Sequence, residues 1–175
     1  MDINPTSQAD VRANLDHRPW PFADACFERI LCRHVLEHIA DPVGFMAEVH
    51  RVARSGAIVS IVTPHFSNRY SYTDPPHRRH LAWRSFDCFT GESAQVAPTF
   101  WDRVFELRHP IPSASRENHF CMRGRFLRFG RPFRWLGVQW LANRFPDFYE
   151  HYLAFIFPAR DLYVELEVTR CASPS

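Results

Sequence analysis

The apolar positions of this chain change period along its length. Residues 10–16 alternate apolar and polar side chains as a short strand does. Pro19 and Pro21 then impose an extended segment, because each proline fixes its own φ and disfavours helix in the residue before it. Residues 28–32 read as a second strand centred on Ile30 and Leu31, and His34–Ile39 as a turn of helix or an irregular loop. From Pro42 the spacing becomes helical: Phe45, Met46, Val49, Val52 and Ala53 recur at i, i+3/i+4 and i+7. Asp41 is placed as the N-cap, Pro42 as the first helical residue, and Gly56 as the stop. Residues 57–62 are apolar except at Ser60, the pattern of a parallel strand covered on both faces. A strand, a helix and a strand joined by short links form a right-handed crossover in a doubly wound sheet. Further on, residues 85–90 open a short helix, 103–108 read as a strand, and a helix is expected around 133–143. Residues 162–169 alternate cleanly, which predicts a half-buried edge strand. The fold class expected is α/β, with a sheet of the doubly wound, Rossmann-like kind. One domain spans 1–175, with 114–149 as an insertion or substrate-side cap before the C-terminal edge strand.

Composition narrows the class. With 46% apolar and 15% aromatic residues the chain builds a real core and is not a disordered segment. Its apolar runs are too short to cross a bilayer, and the N-terminus lacks the basic flank and apolar core of a signal peptide, so a cytoplasmic protein is expected. All 21 basic residues are arginine, yet the net charge of +2 is far from the basic excess of a nucleic-acid binder. The arginines between Arg116 and Arg134 alternate with aromatic side chains and offer a nucleic-acid or membrane surface, but packing and solvation explain them better. The five cysteines show no CxxC pair, which argues against a zinc knuckle or a disulfide framework.

Two groups of residues carry candidate chemistry. His34-Val35-Leu36-Glu37-His38 fits the H-x-x-E-H pattern of a zinc-dependent hydrolase. That chemistry needs a continuous helix and a third ligand, whereas Asp41-Pro42 starts a new helix three residues later, so no metal site is expected there. His65, Asp74, His77 and His80 form the second group, following the strand at 57–62. Loops at the carboxyl ends of strands face the ligand in a doubly wound sheet, which makes His65 or His77 a candidate catalytic base. Arg78 and Arg79 beside them speak against a metal.

Taken in order, Pro19-Trp20-Pro21-Phe22, the strand at 28–32, the His34–His38 box, Asp41-Pro42 and its helix, Gly56 and the apolar run to Pro64 resemble the class I S-adenosylmethionine-dependent methyltransferases of the small-molecule (type 11) kind. Pro64-His65-Phe66-Ser67 and Tyr72-Thr73-Asp74-Pro75 are similar to one subgroup of them, so the similarity covers about residues 1–90. The resemblance implies methyl transfer from S-adenosylmethionine to a small-molecule acceptor. It implies that Asp2 takes the ribose hydroxyls of the cofactor, that Asn14 and Leu15 contact its adenine, and that Arg33 and His34 line the face where cofactor and acceptor meet. The family's glycine-rich loop has no counterpart, since the first of the six glycines is Gly44. An N-terminally truncated methyltransferase with an incomplete sheet is therefore expected. The alternative is an inactive remnant or interaction module that dimerises through exposed strand edges.

Overall fold

The computed structural model describes residues 10–170 apart from Arg12 and residues 91–118. Among these residues four strands form one sheet: β1 (Phe27–Arg33), β2 (Ala53–Pro64), β3 (Phe120–Arg128) and β4 (Asp161–Val168), in the order β1-β2-β4-β3. β1 and β2 are parallel and joined through α1 (Pro42–Val52), while β4 runs antiparallel to both β2 and β3. Short helices fill the remaining connections: α2 (Tyr70–Thr73), α3 (Asp87–Thr90), α4 (Arg131–Trp135), α5 (Val138–Arg144) and α6 (Pro146–Phe148), the last running into a π-helical turn at Tyr149–Leu153.

The crossover follows from its sequence. Asp41 Oδ1 accepts the backbone N–H of Gly44 at 3.0 Å, and Pro42 occupies a position whose N–H has no intrahelical partner to lose. Phe45, Met46, Val49 and Val52 all point from α1 into the core, where Phe45 meets the edge of the Trp20 ring at 5.2 Å. Burying four such side chains contributes roughly 1.5–3 kcal/mol each, which outweighs the helix propensity of so short an element. β2 is buried at every position from Ile61 to Pro64, as a strand covered on both faces must be.

Four expectations are corrected. The described residues of 10–16 form no strand: Asn14 Oδ1 accepts Asp16 N–H, and His17 N–H closes back on Asn14 O, so the chain turns there. Helix α1 ends at Val52, and Gly56 instead lies inside β2 with φ +78°, where the β1–β2 register slips. β3 occupies residues 120–128, where an insertion of loop and helix was expected; a bulge between Met122 and Gly124 breaks the alternation that marks a strand. α4 and α5 do cover the expected helix near 133–143. β4 is half-buried as its alternation requires, but it sits between β2 and β3 and is not an edge. Among the described residues the edges are β1 and β3, and β1 leaves Leu31 68% exposed. The strand expected at 103–108 lies outside the described residues.

Candidate active site

At the carboxyl ends of β1 and β2 the chain makes a pocket of about 470 Å³, lined by His34, Glu37, His38, Tyr70, Asp74 and His77 among others. His34 closes the strand ladder by donating its backbone N–H to Val62 O at 2.8 Å, then takes φ +52°, a left-handed conformation that side-chain-bearing residues adopt only when held. This reversal throws the chain into a single 3₁₀ turn, Leu36–His38, which buries Leu36 and Glu37. Glu37 is 1% exposed. One carboxylate oxygen lies 3.2 Å from His34 Nδ1, and the other accepts from Thr63 Oγ1 at 3.2 Å. A carboxylate oxygen cannot donate, so His34 Nδ1 donates in that contact and Nε2 is the ring nitrogen left outside it. His34 itself is 44% exposed and faces the pocket.

The far wall comes from the loop after β2. Its anchor is backbone: Arg78 N–H and Arg79 N–H both donate to Glu37 O, at 2.7 and 3.1 Å. This clamp brings the His77 ring to 4.7 Å from that of His38. His77 Nδ1 lies 3.2 Å from Ser71 O, and Nε2 lies 3.3 Å from Asp74 Oδ2. His80 turns away, stacking on Tyr72 and bonding to Ser71 Oγ.

His65 lies elsewhere. It is 0% exposed; Nδ1 accepts Ser67 N–H, and Nε2 donates to Glu150 Oε1 at 2.9 Å. Trp83 N–H donates to the same Glu150 oxygen, and Tyr149 OH accepts Ala159 N–H, so His65 joins the end of β2 to the 149–159 segment. Burial pushes the Tyr149 phenol above its ordinary value.

Of the residues expected on the cofactor side, Asp2 lies outside the described residues. Arg33 is exposed at the end of β1, and Asn14 is half-buried in its turn. Leu15 lines an apolar cavity of about 390 Å³ beside β1, together with Trp20, Phe22, Ile30 and Val35. The segment of Leu15 and the loop after β1 therefore meet at one cavity. Cys32, facing the core from β1, has its thiol pushed up to about 12 by burial and is not a nucleophile.

Residues 3–61 match the family described as methyltransferase domain. Over those residues the chain is similar to a methyltransferase domain. Its fold is similar to that of the YcgJ protein from Bacillus subtilis, at 15% identity over 93% of this chain and 71% of that one, with a TM-score of 0.50. A methyltransferase partner of the Haloferax volcanii Trm112 methyltransferase activator aligns at 12% identity over 94% of this chain and 65% of that one, with a TM-score of 0.48. An S-adenosylmethionine-dependent methyltransferase from Aquifex aeolicus aligns at 13% over 91% and 54%, with a TM-score of 0.46. The chain thus spans between about half and two thirds of the length of these last two. No curated protein sequence matches it.

Sequence reasoning placed His34 on this face but missed the pairing with Glu37. The two residues stand in one H-x-x-E-H box, but the left-handed reversal at His34 ahead of the turn at Leu36–His38, which brings them together, carries no sequence signal. The arginines of 116–134 divide. Arg123 pairs with Glu167, Arg125 with Asp87, and Arg128 bonds to Tyr163 OH, while Arg131 and Arg134 line an open surface depression with Trp135 and Trp140. Arg116 lies outside the described residues. Among the described residues no helix is long and apolar enough to cross a membrane.

Proposed function

We propose that the chain acts in methyl transfer from S-adenosylmethionine to a small-molecule acceptor, and that the pocket at the ends of β1 and β2 receives the acceptor. The observation that carries this reading is the pocket itself. Its volume of about 470 Å³ is in the range of small-ligand sites, and it gathers three histidines and three carboxylates at the end of the sheet where α/β folds bind ligands.

The residues present fit the adenosine end of the cofactor. Leu15 and Val35 supply an apolar wall, with the polar Asn14 and His34 beside them. Asp2 would take the ribose hydroxyls, and Arg33 would stand at the rim. The glycine-lined approach that the family uses for the methionine end is not supplied by any residue before Gly44. When bound, the cofactor supplies an electrophilic methyl on a sulfonium.

What this chain adds is orientation and proton management. His34, fixed through Nδ1 by the buried Glu37, presents Nε2 to the pocket and takes the proton of an acceptor hydroxyl or amine. His77 stands on the opposite wall and orients the acceptor. His65, with both ring nitrogens engaged, serves as the post that holds the 149–159 segment.

The test uses S-adenosylmethionine labelled in its methyl group, incubated with the protein and a size-fractionated cell extract. Label is expected in the small-molecule fraction, and His34→Gln is expected to lower its rate by roughly 10²–10⁴-fold, the range for loss of a positioned base. Label confined to macromolecules, or a rate unchanged in His34→Gln, overturns the reading.

A further inference from the structure

We propose that Glu37, His38 and His77 form a binding site for a divalent first-row transition-metal ion on the wall of this pocket. Their ligand atoms all lie within 4.8 Å of one another, and two imidazoles with one carboxylate is a donor set suited to such ions. A tetrahedral site with bonds of about 2.1 Å has edges of roughly 3.4 Å, so binding draws the donors inward by about an ångström. His38 and His77 both line the pocket, so the movement is one of pocket-wall side chains.

Two independent observations ask for a cation here. The first is charge balance. Four carboxylates are buried among the described residues: Glu37, Glu48, Asp87 and Asp161. Glu48 has Arg51 at 2.9 Å, Asp87 has Arg125 at 2.5 Å, and Asp161 has Arg160 at 3.6 Å. Glu37, the most buried of the four, has only Thr63 and histidine. A carboxylate sealed from water is costly unless a positive charge stands beside it.

The second is the orientation of His77. Ser71 O can only accept, so Nδ1 donates in that contact and Nε2 is the ring nitrogen left to act as a ligand. Nε2 stands 3.3 Å from Asp74 Oδ2. A ring nitrogen held by a backbone carbonyl, with the other nitrogen turned to the ion, is also the usual posture of a metal-bound histidine. Neighbouring arginines do not occupy the place: Arg79 donates its guanidinium to Ala40 O at 2.6 Å, and the backbone N–H groups of Arg78 and Arg79 lie on Glu37 O.

The site's role rests on the methyl-transfer reading. An ion with an open position toward the pocket would bind the acceptor oxygen, whose O–H proton passes to His34 while the electron pair stays on the oxygen. The binding itself does not depend on that reading, so it is tested apart from activity. Protein stripped with chelator and dialysed is titrated with Co²⁺, followed by visible d–d absorption, and with Zn²⁺ by calorimetry. The expected result is one equivalent of Co²⁺ bound and displaced by Zn²⁺. His38→Ala and His77→Ala each weaken binding at least tenfold, whereas His151→Ala, outside the site, changes nothing. Circular dichroism confirms that the variants are folded. Absence of stoichiometric Co²⁺ binding in folded wild-type protein, or binding that survives both His38→Ala and His77→Ala, overturns the site. Binding lost in both variants supports it even where no methyl transfer is detected.

Discussion

Thr63 offers the cleanest perturbation of the buried carboxylate on which the candidate site is built. It is 0% exposed in the middle of the sheet, and its hydroxyl donates to Glu37 Oε2 at 3.2 Å. Thr63→Val keeps the shape, the β-branch and the strand propensity, and removes only the donor. Glu37, at 1% exposure, then has an oxygen that water cannot reach. Orphaning a buried charged acceptor costs up to about 3 kcal/mol, and a bond of this length belongs below that limit, so about 2 kcal/mol is expected. For a chain of 175 residues this lowers the melting temperature by about 4–8 °C. Thr63→Ser keeps the donor and loses one methyl, at about 1 kcal/mol. Urea denaturation of the two variants, and of each combined with Glu37→Gln, closes a double-mutant cycle in which the Thr63–Glu37 pair couples by about 1–2 kcal/mol. The reasoning fails if Thr63→Val lies within roughly 0.5 kcal/mol of the wild type, or if Thr63→Ser is the more damaging change.

Further expectations follow from the same contacts. Glu48, bonded to Arg51 and to Trp20 N–H, has its carboxyl held below the usual carboxylate range, chiefly by the Arg51 hydrogen bond. Its stabilisation is thus complete above the ordinary carboxylate pKa of about 4.3 and is lost as pH falls through its own lower value. Denaturation midpoints between pH 6 and pH 3 should show that loss, and Glu48→Gln should flatten it. The Cys32 thiol, raised to about 12 by burial, should stay silent to a thiol reagent at pH 8, where the exposed Cys26 and Cys121 react; unfolding in urea should release it. Asp41→Ala removes the cap of α1 and should cost about 1 kcal/mol in the same denaturation assay, with Asp41→Ser recovering most of it.

Legibility from sequence followed the range of the interactions. β1, α1 and β2 could be read directly, because the Asp41-Pro42 cap, the helical stripe and the apolar run at 57–62 are local signals. β4 was legible as a strand, but alternation reports which faces are covered and not which strands lie alongside, so its interior place was hidden. β3 was masked by its bulge, and the turn at Asn14–His17 by a side chain that bonds to backbone where a ladder was expected. The candidate site was half legible. His34 and Glu37 lie within one box, but the reversal at His34 that pairs them was not legible. The approach of His77 to His38 depends on Arg78 and Arg79 N–H reaching Glu37 O, a contact across about 40 positions that no local pattern carries.

The account stands on the pocket beside His34 being the place where a methyl donor and its acceptor meet. Calorimetric titration of the folded protein with S-adenosylhomocysteine tests this most directly. The account predicts saturable binding of one equivalent, weakened by Asn14→Ala and by His34→Ala but not by His151→Ala. No measurable heat from protein shown to be folded, or binding indifferent to both Asn14→Ala and His34→Ala, would contradict it.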